Sequence, residues 1–259
     1  MAKRYGGFLM QLVYLSQNDG WSRCEIEMKI VSVIQARMSS RRLPGKILRM
    51  VRGRSMLTYL TERLRHCRQL DGIVLATSRE ESDDPVVAFA ETTGLPCYRG
   101  SLDDVASRLL GAADEAGAQA LVRISGDSPL IDSTLVDRLV SVFRESDRPD
   151  LVTNVARRTF PKGQSIEVVS VEALRTRVLD GMSPTEKEHV TESFYKHPDG
   201  GRIISIEHTE LLGDMQLSVD TAEDMSRLEA LLDLLDEPYW RHGLAEIVAA
   251  QRRLDGGRA

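Results

Sequence analysis

Residues 29–34 read Lys-Ile-Val-Ser-Val-Ile, and the chain then breaks into Gln35-Ala36-Arg37-Met38-Ser39-Ser40-Arg41-Arg42-Leu43-Pro44-Gly45-Lys46. The first part is short and β-branched, which is the composition of a buried parallel strand. The second is a polar turn carrying Arg37, Arg41, Arg42 and Lys46, with no acid between Arg37 and Glu62. Where a strand opens into a cationic turn before a helix, α/β sheets hold phosphate groups. Backbone N–H groups wrap such an anion and guanidinium forks take its oxygens in pairs. A solvated basic loop is the plainer alternative. The position directly after the first strand, with Pro44-Gly45 stiffening the turn, favours phosphate.

The rest of the chain alternates in step with that start. Residues 55–70 place Met56, Leu57, Leu60, Leu64 and Cys67 at helical spacing behind Ser55 as N-cap. A strand at 73–76 ends in Thr77-Ser78-Arg79, and Asp84-Pro85 open a helix that Gly94 closes. A short strand at 97–98 leads through Arg99-Gly100-Ser101 into a helix reaching about Gly117. Strands follow at 120–124, 150–154, 203–206 and 215–219, and the tail 221–254 is mostly amphipathic helix divided by Pro238. This order predicts a doubly wound, mostly parallel mixed sheet with helices on both faces and ligand at the strand C-termini.

With 259 residues, one α/β domain is expected over 28–259. Residues 1–27 read as a dispensable extension, an extra interface helix being the alternative. Lys3, Arg4 and the run 6–15 suggest a secretory signal, but Gln11 interrupts it and no small-x-small cleavage site follows. A net charge of −5 argues against nucleic acid as partner. Cys24, Cys67 and Cys97 are too few and too scattered for a disulfide framework or zinc site, and a reducing cytoplasm is the default. No apolar run is long enough to cross a membrane.

Ser125-Gly126-Asp127-Ser128-Pro129-Leu130-Ile131 follows the fourth strand. Gly126 permits close backbone approach and Pro129 ends the turn, so Asp127 is presented at the sheet edge. A carboxylate facing an Arg-rich phosphate loop needs a cation between them, and magnesium held by one or two carboxylates plus nucleotide phosphates is the usual arrangement. Capping the helix that starts near Ser133 is the other reading of Asp127. Glu167 reads equally well as a surface strand residue. A single histidine such as His189 is most often a structural hydrogen-bonder.

Ile-Gln-Ala-Arg-Met-Ser-Ser-Arg-Arg-Leu-Pro-Gly-Lys resembles the opening motif of the cytidylyltransferases that make CMP-activated acid sugars, closest to the spore coat polysaccharide biosynthesis protein F branch. The resemblance runs from about Lys29 to Asp224. It implies a Rossmann-like nucleotidyltransferase fold, CTP as nucleotide, an anionic acceptor such as a sugar acid, and release of pyrophosphate. Gln35, Ala36, Arg37, Ser40, Arg42, Lys46 and Gly126 would hold the nucleotide. Thr77, Arg79, Arg99 and Ser101 are the candidates for base choice.

Gly-Asp-Ser-Pro-Leu-Ile resembles the family's metal-binding turn, and Val219-Asp220-Thr221-Ala222-Glu223-Asp224 its closing motif. Asp127 and Asp220 are thereby implied as ligands of Mg²⁺, with Mn²⁺ as substitute, and Asp224 reads as a helix-capping residue. Arg37, Arg42 and Lys46 would stabilise the leaving group, with Asp127 in the catalytic set. Phe160-Pro161-Lys162-Gly163-Gln164-Ser165-Ile166-Glu167-Val168-Val169 resembles the stretch lining the acceptor pocket, with Ser165 where the family usually has Asp. Glu186-Lys187-Glu188-His189-Val190-Thr191 matches a further motif of the branch. Glu167, Glu188 and His189 are therefore the candidate acceptor residues, within a substrate and dimer portion at about 159–215. A homodimer is the implied assembly. Another nucleotide, a phosphonate acceptor, or a non-catalytic pathway partner are the competing readings.

Overall fold

The structure, a computed structural model, describes residues 4–5, 8–9, 13–14, 28–198 and 201–256. The strand that precedes the cationic turn, β1 (Ile30–Gln35), lies centrally in the main sheet, and five of its six residues are buried. After it come α1 (Met56–Arg65), β2 (Gly72–Ser78), α2 (Asp84–Thr93), β3 (Cys97–Gly100), α3 (Val105–Glu115) and β4 (Ala120–Ser125). Then follow α4 (Ser133–Glu145), β5 (Leu151–Thr153), β6 (Glu167–Ser170), α5 (Val171–Asp180), α6 (Pro184–His189) and α7 (Glu192–Lys196). The last elements are β7 (Ile203–Ser205), α8 (Ala222–Asp233) and α9 (Leu244–Gly256).

The strand order is β7-β5-β6-β4-β1-β2-β3, and β6 alone of these runs antiparallel to its neighbours. The C-terminal ends of β4, β1, β2 and β3 therefore share one edge, and the N-terminal end of β6 joins them. The sheet is buried on both faces. On one face Ile30, Ile34, Val122 and Ile124 pack with α1, α2, α4, α8 and α9. On the other, Val31, Val33, Leu121 and Val169 pack with α3, α5 and the α6–α7 segment. Burial on both faces accounts for the continuous apolar strands read in the sequence.

Helix starts follow local chemistry. Ser55 caps α1 by accepting from the Thr58 N–H. Asp132 caps α4 through Oδ1, and its Oδ2 accepts the Leu244 N–H at the start of α9, 2.7 Å away. Buried Arg63 on α1 donates to the carbonyls of Tyr239, His242 and Ile131, fastening the approach to α9 onto the turn after Asp127.

The expected strand at 215–219 does not form. Gln216 makes one isolated bridge to Lys162, and the segment is tied down by single backbone bonds instead. The expectation for residues 1–27 lies almost wholly outside the described residues. Within it, Tyr14 and Val13 pair with Ile204 and Ser205 at the β7 edge.

Candidate active site

The cationic turn is fixed from below by an acid that the sequence did not single out. Asp83, fully buried before α2, accepts the Met38 N–H at 2.7 Å, the Ser78 N–H at 3.1 Å and the Ser78 hydroxyl. Burial alone would raise its carboxyl, but these bonds outweigh burial and hold it below the usual carboxylate range. The turn thus has a set shape: the Ser40 and Gly45 N–H groups both donate to the Met38 carbonyl.

Two backbone bonds bring the acidic turns together. The Gly126 N–H donates to the Gln35 carbonyl at 2.9 Å, joining the ends of β4 and β1. A Cβ on Gly126 would stand 3.0 Å from that carbonyl oxygen, so glycine lets the strand end pass this close. The Val219 N–H donates to the Asp127 carbonyl at 2.9 Å, which sets Asp220 beside Asp127 despite the missing strand. Gly163, at φ +92°, supports this from below, because a Cβ there would meet Ser218 N at 2.5 Å.

Asp127 and Asp220 converge on one atom. Lys46 Nζ stands 2.9 Å from Asp127 Oδ2, 2.9 Å from Asp220 Oδ1 and 2.7 Å from the Val219 carbonyl. Arg42 adds a second cation, 2.9 Å from the same Asp220 oxygen. Neither aspartate is a helix cap. That role belongs to Asp132 at α4 and to Asp224 at α8, where Thr221 and Asp224 form a reciprocal capping box. Two hard carboxylate donors at one point suit Mg²⁺ or Mn²⁺ completed by nucleotide phosphates. Among the described residues no group of three or more His, Cys, Asp or Glu side chains offers an all-protein cage.

Lys46, expected on the phosphates, has all three ammonium donors on protein oxygens here, and its side chain is 9% exposed. Arg37 is freer, with Glu188 of α6 at 3.7 Å. Glu188 therefore meets the cationic turn, whereas His189 is exposed next to it. Val190, at φ +54° and ψ −67°, makes a γ-turn in which the Thr191 N–H donates to the His189 carbonyl. That strained conformation in a β-branched residue is held by its burial against α3 and α5, and it turns the chain from α6 into α7.

Glu167, expected to touch the acceptor, is 2% exposed and has both oxygens engaged. Arg123, directly opposite it on β4, holds Oε2 at 2.6 Å, and the Tyr195 hydroxyl on α7 donates to Oε1 at 2.6 Å. Glu167 is thus a support for Arg123, whose other nitrogen approaches the Gln35 side chain at 3.5 Å. Burial, and then the charge of Glu167, push the Tyr195 phenol up from its ordinary value, so it stays a donor.

At the ends of β2 and β3, Arg99 is committed to structure. It donates to the carbonyls of Ser78 and Glu80 and pairs with Asp84 at 2.7 Å. Ser101 Oγ accepts the Asp104 N–H, which opens α3. Thr77 is fully buried at the end of β2, Ala36 lies buried on β1's last hydrogen bond to β2, and Arg79 is exposed. Asp83, Tyr195 and the Val219 carbonyl were missed because each acts through a partner far away in sequence. Arg123 lies within β4 and gave no signal of its own in sequence.

A model of a cytidylyltransferase family matches residues 31–237. Spore coat polysaccharide biosynthesis protein SpsF of Bacillus subtilis is 31% identical over 210 residues, covering 78% of this chain and 85% of that protein. The 3-deoxy-manno-octulosonate cytidylyltransferase of Bdellovibrio bacteriovorus is 32% identical over 146 residues, 56% of this chain and 58% of that one. A solved cytidylyltransferase from Leptospira borgpetersenii superposes with a TM-score of 0.84 at 28% identity, covering 89% of this chain and 96% of that chain.

Proposed function

This chain belongs to the cytidylyltransferase family, and from that premise we propose how its residues transfer CMP from CTP to an acidic sugar with release of pyrophosphate. The observation that carries the proposal is the meeting of Asp127 and Asp220 at Lys46, beside a loop that presents Arg37 and Arg42. An acceptor oxygen attacks the α-phosphorus in line and pyrophosphate departs opposite. Such a transfer is driven by positioning and charge neutralisation, and no protein nucleophile is required.

In this reading Arg37 and Arg42 hold the β- and γ-phosphates, and loop N–H groups other than those of Met38, Ser40, Leu43, Gly45 and Lys46, which donate within the protein, line the same anion. Asp127 and Asp220 would hold Mg²⁺, or Mn²⁺ in its place, which when bound supplies charge neutralisation at the phosphates. The acceptor enters from the side of β6, α6 and α7. There Arg123, backed by Glu167 and Tyr195, is the cation placed to meet a sugar-acid carboxylate, and Glu188 closes over Arg37. A carboxylate-bearing acceptor fits a site whose supports are arginine and phenol donors. Free Cys67 and Cys97 suit a reducing cytoplasm. The working unit in this reading is a homodimer, as the family resemblance implies, and no helix among the described residues is long and apolar enough to cross a membrane.

Pyrophosphate release tests the proposal. CTP, UTP, GTP and ATP are each offered with a panel of sugar acids, including 3-deoxy-manno-octulosonate, and with a phosphonate. Turnover is expected with CTP and a sugar acid and to cease when divalent cations are chelated. Release with another nucleotide in preference, with the phosphonate alone, or unaffected by chelation would contradict it.

A further inference from the structure

Lys46 occupies the point that the two aspartates share. Its ammonium has three N–H donors, and all three are matched: Asp127 Oδ2, Asp220 Oδ1 and the Val219 carbonyl. The side chain is 9% exposed, so water supplies little of its solvation. One positive charge stands against two negative ones, with Arg42 adding to Asp220 only at an exposed position. The carboxylates are therefore held together in register yet not fully neutralised. A divalent cation bonds carboxylate oxygens at about 2.0–2.1 Å. At the point these two oxygens share, it would meet the ammonium already there, like charge against like, so both cannot occupy that point.

We propose that Lys46 is the resident counter-ion of the Asp127–Asp220 pair and makes divalent-cation loading depend on nucleotide. This rests on the assignment of those aspartates as the cation's ligands. Leaving the pair strips a buried ammonium of three acceptors at once, which is costly unless new ones replace them. A triphosphate brings anionic oxygens to the loop that carries Lys46. Lys46 directly follows Gly45, which has φ +70° and opens the short 3₁₀ turn Lys46–Leu48. With nucleotide present, the ammonium moves from carboxylate to phosphate, and the aspartates are released to the cation. Without nucleotide the ammonium has no comparable alternative. Cation and nucleotide are then coupled ligands, each raising the affinity for the other.

The test is a titration of the full chain with Mn²⁺, free ion being read by electron paramagnetic resonance, with and without CTP and without acceptor. Wild type is expected to bind Mn²⁺ weakly alone. With CTP it should bind beyond what CTP holds by itself. Lys46→Met removes the charge at similar length. It should bind Mn²⁺ without nucleotide more tightly by roughly tenfold or more, within the range usual for coupled sites. A Lys46→Met chain that binds Mn²⁺ no tighter than wild type would overturn the proposal while leaving the metal site standing. Failure of wild type to bind Mn²⁺ even with CTP would remove the metal assignment, and the gate with it. Should Lys46→Met not fold, acetylation of wild-type Lys46 by acetic anhydride, followed by mass spectrometry, gives a second reading. Lys46 should stay protected when Mn²⁺ alone is added. Its exposure by Mn²⁺ alone would show displacement without nucleotide and overturn the proposal.

Discussion

The Tyr195 hydroxyl lies 2.6 Å from Glu167 Oε1, and the bond joins α7 to the first residue of β6. Arg123 holds the other oxygen, so the buried carboxylate is closed off by one cation and one phenol. Replacing Tyr195 with Phe leaves one oxygen of a buried charge without a donor, at about 1.5–3 kcal/mol. Glu167→Gln breaks the pair with Arg123 and is expected to be worse, about 3–5 kcal/mol. Urea unfolding checks both. In the folded fraction, Tyr195→Phe should raise KM for the acceptor while KM for CTP stays near wild type. An equal rise in both would place the network elsewhere.

Asp83 anchors the cationic turn through the Met38 N–H, and its effect is pH-dependent. Its carboxyl lies below the ordinary value in the folded chain, so the folded state binds that proton more weakly than the unfolded one. Its contribution is complete above the unfolded carboxyl pKa of about 3.9 and is lost as pH falls through the lower folded value. Asp83→Asn should destabilise the protein at neutral pH by about 1.5–3 kcal/mol, since an amide NH₂ would face the N–H and hydroxyl donors. The difference between mutant and wild type should shrink as acid is added. A constant difference down to acid pH would mean that charge on Asp83 does not hold the loop.

Among the described residues the one ion pair of Arg37 is with Glu188, at 3.7 Å, which leaves its guanidinium available to an anion. Arg37→Ala should weaken CTP binding by about 1.5–3 kcal/mol, the range for a hydrogen bond to a charged group. Calorimetry with CTP and CMP decides its location: the loss should be larger for the triphosphate. Equal losses would take Arg37 away from the β- and γ-phosphates.

A fragment beginning at Met28 is expected to fold and to turn over, because β1 and every matched motif lie beyond it. The described contact that it loses is the two-residue pairing of Tyr14 and Val13 with Ile204 and Ser205. Circular dichroism and pyrophosphate release on the fragment check this. An insoluble or inactive fragment would make residues 1–27 part of the domain.

The sheet was legible because its strands are buried on both faces and read as apolar runs separated by helical spacing and caps. Residues 215–219 misled because Leu217 and Val219 are buried yet held by single bonds to Lys162 and Asp127, and burial alone looks like a strand in sequence. Motif residues near the chain's turns, such as Asp127 and Arg37, could be named in advance because local sequence places them at a strand end. Glu167 and Arg99 could not be interpreted that way. Their partners, Arg123 and Tyr195 in one case and Ser78, Glu80 and Asp84 in the other, are set by tertiary packing. For the same reason Lys46 read as one more phosphate cation, when its ammonium is held by two aspartates from distant turns.

The central claim is that Asp127 and Asp220 act as one unit on one cation during CMP transfer. Pyrophosphate release from CTP and the best sugar acid, measured for Asp127→Asn, Asp220→Asn and the double variant, tests it most directly. Each single change should cut turnover by orders of magnitude with the fold intact by circular dichroism, and excess Mg²⁺ or Mn²⁺ should restore only part of it. The double variant should be far more active than the product of the two single defects would allow, as for residues serving one site. Fully multiplicative losses, or wild-type turnover in either single variant, would contradict the account.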